Sequence, residues 1–372
     1  MMNQVKTWLE QNKKSIQWLA NEIGASHSLM GKILNGEHDL LPEQMVQIAR
    51  VIGITLDELT AETDSDLSTS QINTNRMHDN ELEIDASLVK RLLAAQFPQW
   101  AELPLKRVNS SGTDNAIFRL GEDMAVRMPR IEGATGQAER EQLWLPKLAP
   151  HLPLAIPSPL AIGVPAEGYP WQWAVYRWFN GEDAIIGRID DLGQAATVMA
   201  QFVAAMQRID LADVTPPASS RGMSLEKRDN VVRKAIAELQ DMIDQDTATL
   251  AWEAALKAPE WDGPAVWIHG DIHAGNLLIE QGRISTVIDF GCMGLGDPAW
   301  DMLFAWSILN AETRVIFRRE LRPDDATWAR GRGYALSMGL IALPYYKDTN
   351  PVFAGVARRI IDEVLTDYLN GA

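Results

Sequence analysis

Residues 267–291, WIHGDIHAGNLLIEQGRISTVIDFG, constrain this chain more than any other stretch. Two short apolar runs, 277–279 and 284–288, flank Gln281-Gly282, a glycine-bearing turn that predicts a β-hairpin. A hairpin carries the chain out and back, so Asn276 at its start and Asp289 at its end lie side by side. A third apolar run, 265–268, ends at His269-Gly270-Asp271 and delivers a second carboxylate from a neighbouring loop. An amide oxygen beside a carboxylate suits a hard cation such as Mg²⁺, which keeps several waters and is completed by substrate phosphates. Asp271 is then placed to orient and deprotonate an attacking hydroxyl.

Length and composition bound what surrounds this hairpin. A chain of 372 residues with 46% hydrophobic content buries at least one large core, and its length predicts two domains. Pro344 breaks the apolar run at 339–346, well short of the roughly 20 residues of a membrane span. The start, MMNQVKTWLEQNKK, lacks the apolar stretch and cleavage site of a secretory signal. With one cysteine, Cys292, no internal disulfide forms, and a reducing cytoplasm is the expected setting. A net charge of −16 argues against a protein whose main work is coating nucleic acid and leaves room for cationic ligands.

Residues 1–62 predict a run of short helices. Val5, Trp8 and Leu9 share a face, as do Ile16, Leu19, Ala20 and Ile23. Gly24 breaks the chain, Ser26 is placed to cap the next helix, and Asn35-Gly36 ends it. LANEIG leading into SHSLMGKILNG resembles the helix-turn-helix domain of the phage-repressor-like (XRE) family. That resemblance implies a recognition helix presenting His27, Ser28 and Lys32 to DNA, and a homodimer as the form that pairs on it. The segment carries five Lys or Arg against eight Asp or Glu, so any phosphate attraction would be local. A small helical bundle used for packing is the other reading. Residues 63–83, rich in Ser, Thr, Asn and Asp, predict a linker.

The remainder, 84–372, carries the chemistry. His269, Asp271 and Asn276 followed by Asp289-Phe290-Gly291 match the kinase catalytic loop H-x-D-x-x-x-x-N and its metal-binding Asp-Phe-Gly. The segment GDPAWD, 296–301, follows almost at once, leaving no room for the activation segment on which a protein kinase holds a peptide. HGDIHAGNLL, VIDFG and GDPAWD together resemble the aminoglycoside phosphotransferase family over roughly residues 100–365. The fold implied is α+β: a bilobal protein-kinase-like domain, with an N-lobe to about residue 177 and a C-lobe beyond, preceded by a small all-α helix-turn-helix domain.

The resemblance implies further parts. Ser111, Gly112 and Thr113, in a loop with one glycine, stand where family members cover the nucleotide phosphates. Arg127 occupies the strand position of the family lysine; its planar fork can grip phosphate through two nitrogens but is not equivalent to an ammonium. Glu141 is the expected partner, Glu139 the second choice. Backbone groups near Tyr176 to Trp178 are expected to hold the purine of ATP or GTP. His269, Asp297 and Asp301 are expected to support the catalytic loop, and His273 to make local hydrogen bonds. The acidic runs at Asp183, Asp190, Asp191 and at Asp241, Asp244, Asp246 either attract a polyamine or form solvated helix faces.

The function implied is Mg²⁺-dependent transfer of a γ-phosphoryl group to a small-molecule hydroxyl. The acceptor expected is an aminoglycoside-like or macrolide antibiotic, an ordinary sugar or amino-alcohol metabolite being the alternative. A rival of another class is a ligand-sensing transcription regulator with a kinase-like sensor domain; intact Asp271, Asn276 and Asp289 argue against it.

Overall fold

In β2 (Asn115–Leu120) and β3 (Met124–Pro129), burial alternates with the period of a pleated strand. Ala116, Phe118, Leu120, Met124, Val126 and Met128 are buried, which leaves Ile117, Arg119 and Arg127 on the opposite face. The computed structural model that shows this describes residues 5–6, 8–9, 12–22, 30, 48, 51, 82–108, 114–210, 217–219, 221 and 224–371. The chain divides into two compact units, Met1–Arg76 and Met77–Ala372.

In the first unit, α1 (Ile16–Glu22) starts beneath Ser15, whose hydroxyl oxygen accepts the Trp18 N–H at 3.0 Å. Val5, Leu9, Leu19, Ala20, Met30 and Ile48 are buried, and Trp8 stacks on Trp18 with centroids 6.0 Å apart. The expected DNA contacts His27, Ser28 and Lys32 lie outside the described residues, as does the 63–83 stretch up to residue 81.

The second unit opens with α2 (Ala86–Gln96), capped by Asp85, which accepts the Leu88 N–H at 2.7 Å. An antiparallel five-stranded sheet follows, in the order β1 (Leu105–Val108), β2, β3, β5 (Trp173–Arg177), β4 (Pro159–Gly163). Its covered face packs on Val89, Leu92 and Leu93 of α2. Between β3 and β4 runs α3 (Gln137–Leu148), which buries Trp144, Leu145 and Leu148 in the larger core and Gln137 and Glu141 beside them.

Beyond β5 the chain is mostly helical. α4 (Leu192–Gln207), α5 (Leu225–Glu238) and α6 (Gln245–Leu256) precede β7 (Val266–Ile268) and the hairpin of β8 (Leu277–Glu280) and β9 (Arg283–Val287). Gln281 and Gly282 both take positive φ (51° and 74°), the conformation of a tight two-residue turn. β6 (Glu182–Asp183) flanks β8, and β10 (Gly294–Gly296) pairs with β7. The rest is α7 (Phe304–Ser307), α8 (Ala311–Leu321), α9 (Asp325–Tyr346) and α10 (Pro351–Leu369). Trp252, Trp267, Trp300 and Trp306 fill this core almost completely buried, fixing the short strands that carry the polar groups. Among the described residues, no helix is long and apolar enough to cross a membrane.

Asp191 and Asp244 cap α4 and α6, accepting N–H bonds at 2.8 Å and 3.0 Å from Gly193 and Thr247. Asp183 accepts the Ile185 and Ile186 N–H groups, and Asp190 pairs with Arg188. These four carboxylates answer to local backbone and to arginine, which accounts for them without a polycation.

Candidate active site

β7 stops at Ile268, and the chain turns through His269-Gly270-Asp271 under the hold of one buried carboxylate. Asp301 accepts the backbone N–H of His269 at 2.9 Å and of Gly270 at 2.8 Å. Burial raises the Asp301 pKa, against the favourable pull of His269 and these two amides. Gly270 has φ +81°, and a Cβ there would lie 3.0 Å from the Cys292 carbonyl oxygen, so this turn needs glycine twice over. The His269 ring ties the loop to the residue that follows β9. Its Nε2 donates to the Ile288 carbonyl at 3.0 Å while Nδ1 accepts the Asp271 N–H at 3.2 Å, a tautomer assigned from these two partners.

Asp301 thus bonds the loop through both of its oxygens. Asp297 is held by Arg330 at 2.8 and 3.1 Å and accepts the Ala299 N–H, and so braces the GDPAWD turn against α9.

Asn276 and Asp289 meet across the hairpin mouth, where the Ile288 N–H donates to the Asn276 carbonyl at 2.9 Å. The Asn276 side-chain nitrogen donates to the Asp271 carbonyl at 2.9 Å, which leaves its amide oxygen for another partner. Asp289 sits in the left-handed region, φ 62° and ψ 72°, a conformation a non-glycine residue keeps only when its surroundings hold it. Asp289 Oδ1 accepts from Gln137 at 2.9 Å, Arg127 at 3.1 Å and the Gly291 N–H at 3.3 Å. Its Oδ2 has no such partner among the described residues. One amide oxygen and one carboxylate oxygen, both on rigid backbone, fit Mg²⁺ in the manner of a site that phosphates and water complete. Among the described residues, no cluster of three or more His, Cys, Asp or Glu forms an all-protein cage.

Arg127 projects from the uncovered face of β3. It donates to Glu141 at 2.9 Å and Asp289 at 3.1 Å, and Asn115, its amide oxygen turned toward the guanidinium, accepts at 3.1 and 3.3 Å. Burial opposes the charge of Arg127, but Glu141 and Asp289 hold its pKa above the usual arginine range. Glu141 is wholly buried, taking the Gln137 amide at 2.8 Å and the Tyr176 hydroxyl at 2.5 Å. Both terminal nitrogens, which the resemblance assigned to phosphate, bond carboxylates here. The fork spans two carboxylates on different elements, so Arg127 ties β3, α3 and the Asp-Phe-Gly turn together.

The stretch expected to hold the purine has partners of its own. Tyr176 is buried with its hydroxyl on Glu141, and burial together with that carboxylate keeps it un-ionised. The Trp178 N–H donates to the Asp123 carbonyl at 2.7 Å, because pairing with the end of β3 runs past the strand. Its ring lies 4.6 Å from the Arg119 guanidinium. The next N–H, that of Phe179, has no protein acceptor among the described residues. Ser111, Gly112 and Thr113 lie outside the described residues.

Asp271 has a partner that no motif announced. Arg221 donates to its Oδ1 at 3.1 Å. Burial would raise the Asp271 pKa; Arg221 and then His273 outweigh it and hold the carboxyl well below the ordinary range. Burial likewise works against Asp289, and Arg127 holds that carboxyl low. Arg221 is placed by residues 217–219, which run alongside the segment after Asp-Phe-Gly: Ser219 N–H donates to the Leu295 carbonyl at 2.9 Å, and Ser219 Oγ to the Cys292 carbonyl at 2.6 Å. A Cβ at Gly294 would lie 2.5 Å from the Ser219 nitrogen, so the close approach requires glycine. His273 caps its own turn, accepting the Gly275 N–H at 3.0 Å, and its Nε2 faces Asp271 Oδ2 at 3.7 Å.

Sequence reasoning missed Gln137 and Arg221. Gln137 was findable, since it stands four residues before Glu141 on one helix and shares its face. Arg221 lies in a connection without periodicity or motif, and only the fold brings it to Asp271.

The family model described as the phosphotransferase enzyme family matches residues 106–334. The uncharacterized protein YcbJ of Bacillus subtilis (strain 168) is 24% identical over 249 residues, covering 60% of this chain and 77% of that protein. An aminoglycoside 3'-phosphotransferase of Escherichia coli is 24% identical over 246 residues, 62% of this chain and 86% of its own. Among solved structures, the GDP complex of wild-type aminoglycoside 2'-phosphotransferase-IIIa shares the fold with a TM-score of 0.58 at 17% identity, covering 75% of this chain and 98% of that one.

Proposed function

This chain belongs to the phosphotransferase enzyme family and is a small-molecule kinase; from that premise we propose that Asp271, Asn276 and Asp289 transfer the γ-phosphoryl group of ATP or GTP to an acceptor hydroxyl. The observation that carries the reading is the convergence of these three side chains from two loops, with Asn276 bonded to the backbone of Asp271 at 2.9 Å. Asn276 and Asp289 would hold Mg²⁺, which when bound neutralises phosphate charge. Asp271, kept ionised by Arg221, orients the acceptor hydroxyl and takes its proton as the bond to phosphorus forms. The bond from the γ-phosphorus to the bridging oxygen breaks, and the nucleoside diphosphate leaves. Positioning and electrostatics supply most of the rate, because this reaction asks little covalent work of a protein.

Two acceptor readings rest on different observations. The aminoglycoside kinase among the relatives supports an antibiotic-type acceptor. The cationic surroundings of Asp271, and the local partners of the acidic runs, support a metabolite that is not a polycation. DNA binding by residues 1–62, and a homodimer formed there, remain proposals carried by the LANEIG and SHSLMGKILNG segments alone.

The test is mass spectrometry of hydroxyl-bearing antibiotics, sugars and amino alcohols after incubation with the protein, Mg²⁺ and either nucleotide. A phosphorylated product that disappears with Asp271→Ala supports the reading. Transfer that persists at full rate in that variant sinks it.

A further inference from the structure

Two buried hydrogen-bond donors without an acceptor, and an arginine with no carboxylate partner among the described residues, meet around the Trp300 ring. Arg221 pairs with Asp271 through one terminal nitrogen, but its Nε is buried with no acceptor. Trp300 is 1% exposed, and its Nε1 is also buried without a partner. Arg228 of α5 is 8% exposed; its Nε donates to Ser337 Oγ at 2.5 Å, and among the described residues no carboxylate pairs with either terminal nitrogen. The Arg221 and Arg228 guanidinium carbons lie 5.9 and 5.2 Å from the centroid of that same ring. Asp297, whose neighbour Tyr334 stacks on Trp300 at 4.2 Å, is already gripped by Arg330.

A buried cation is tolerated when paired, and proteins rarely leave one unpaired without a use for it. Here burial, reinforced by the neighbouring Arg221, lowers the Arg228 pKa to about 10, so the site gains by receiving negative charge. Guanidinium groups suit oxyanions, since their forked donors match two oxygens of a phosphate or carboxylate. An aminoglycoside, a polycation, would meet repulsion in this corner.

We propose that Arg228, with Arg221 beside it, forms an oxyanion-binding site next to Asp271, and that the acceptor is a hydroxyl compound that also carries a phosphate or carboxylate. This rests on the phosphotransferase reading and specifies its acceptor. Arg221, shared between the ligand anion and Asp271, links acceptor binding to the carboxylate that orients the hydroxyl.

The experiment uses the full-length protein with Mg²⁺ and a non-hydrolysable ATP analogue bound, so that the γ-position is filled, and titrates inorganic phosphate as the probe. Phosphate should bind and raise the melting temperature of the wild type, and Arg228→Gln should weaken that binding at least about tenfold, the loss of roughly 1.4 kcal/mol expected for one charge-assisted contact. Arg228→Met, which keeps the apolar stem, serves should the glutamine variant fail to fold. Equal phosphate affinity in variant and wild type, or none in the wild type, overturns the proposal. Affinity for the analogue and for its GTP counterpart is read separately: absence of both in the wild type would sink the phosphotransferase reading, whereas intact analogue binding without Arg228-dependent phosphate binding sinks only the anion site. A second arm compares matched acceptors, glucosamine 6-phosphate against glucosamine and kanamycin. Turnover favouring the phosphorylated sugar, with KM rather than kcat rising in Arg228→Gln, supports the site; kanamycin turnover indifferent to Arg228 overturns it.

Discussion

The two sides of the candidate site use arginine in opposite ways. Beside the Asp-Phe-Gly turn, Arg127 meets Glu141, Asp289 and the Asn115 oxygen, and the same carboxylates take Gln137 and Tyr176. Beside Asp271, Arg221 has one carboxylate and Arg228 none among the described residues. The first is a closed network whose members fix one another; the second leaves donors for a ligand to satisfy. Buried charges that are fully matched set geometry, and buried charges left over set specificity.

The largest test of that contrast falls on the residue between the two sides. Asp271→Ala should lower kcat by about 10²- to 10⁴-fold, the usual worth of a positioned general base, with nucleotide affinity unchanged by equilibrium titration. Nucleotide binding lost along with turnover would place Asp271 in the closed network instead.

Glu141→Ala should come next, as a loss of stability. It strips a buried partner from Arg127, which costs about 3–5 kcal/mol when one member of such a pair is removed, measurable by urea unfolding. Arg127→Lys should be milder. An ammonium cannot span Glu141 and Asp289, and losing one charge-assisted bond of roughly 1.5–3 kcal/mol should lower kcat/KM for nucleotide by about ten- to a hundredfold. Full activity in this variant would mean that bridging is dispensable.

The pH profile sharpens the comparison further. Asp271 and Asp289 are held below their ordinary values, so their contribution to stability is complete above the unfolded carboxylate pKa of about 4 and disappears as pH falls through the depressed folded values. Turnover should therefore show no limb from Asp271 or Asp289 from about pH 5 upward. Arg221→Met removes the cation that outweighs burial, and an acid limb should then enter the kcat profile from below; an unchanged profile would deny Arg221 its hold on Asp271.

Arg228→Met should have the smallest effect on the resting protein. With no carboxylate left stranded, melting should shift by no more than about 1 kcal/mol equivalent, the worth of the single Ser337 bond. A loss as large as that of Glu141→Ala would show that Arg228 is structural and erase the difference between the two sides.

Much of this site was legible in the chain itself. The hairpin followed from apolar runs around Gln281-Gly282, and with it the neighbourhood of Asn276 and Asp289, because strand pairing fixes which ends meet. Glu141 was legible as a partner for the strand cation, but not its burial or its Tyr176 contact, since the same letters suit an exposed helix face. Sheet pairing continued beyond the apolar run that signals a strand, so the pairing of the Trp178 N–H with Asp123 was not legible.

The sequence by itself determined the local chemistry: a turn that needs glycine at 270, a hairpin with Asn276 and Asp289 at its mouth, and strands whose alternation turns Arg127 to the uncovered face of the sheet. Only the tertiary structure decided what those charges face. Arg127 met two carboxylates from 14 and 162 residues away, Arg221 reached Asp271 across 50 residues, and Arg228 met no carboxylate among the described residues. Charge pairing depends on distance and burial in space, and neither is written in the spacing of residues along a chain.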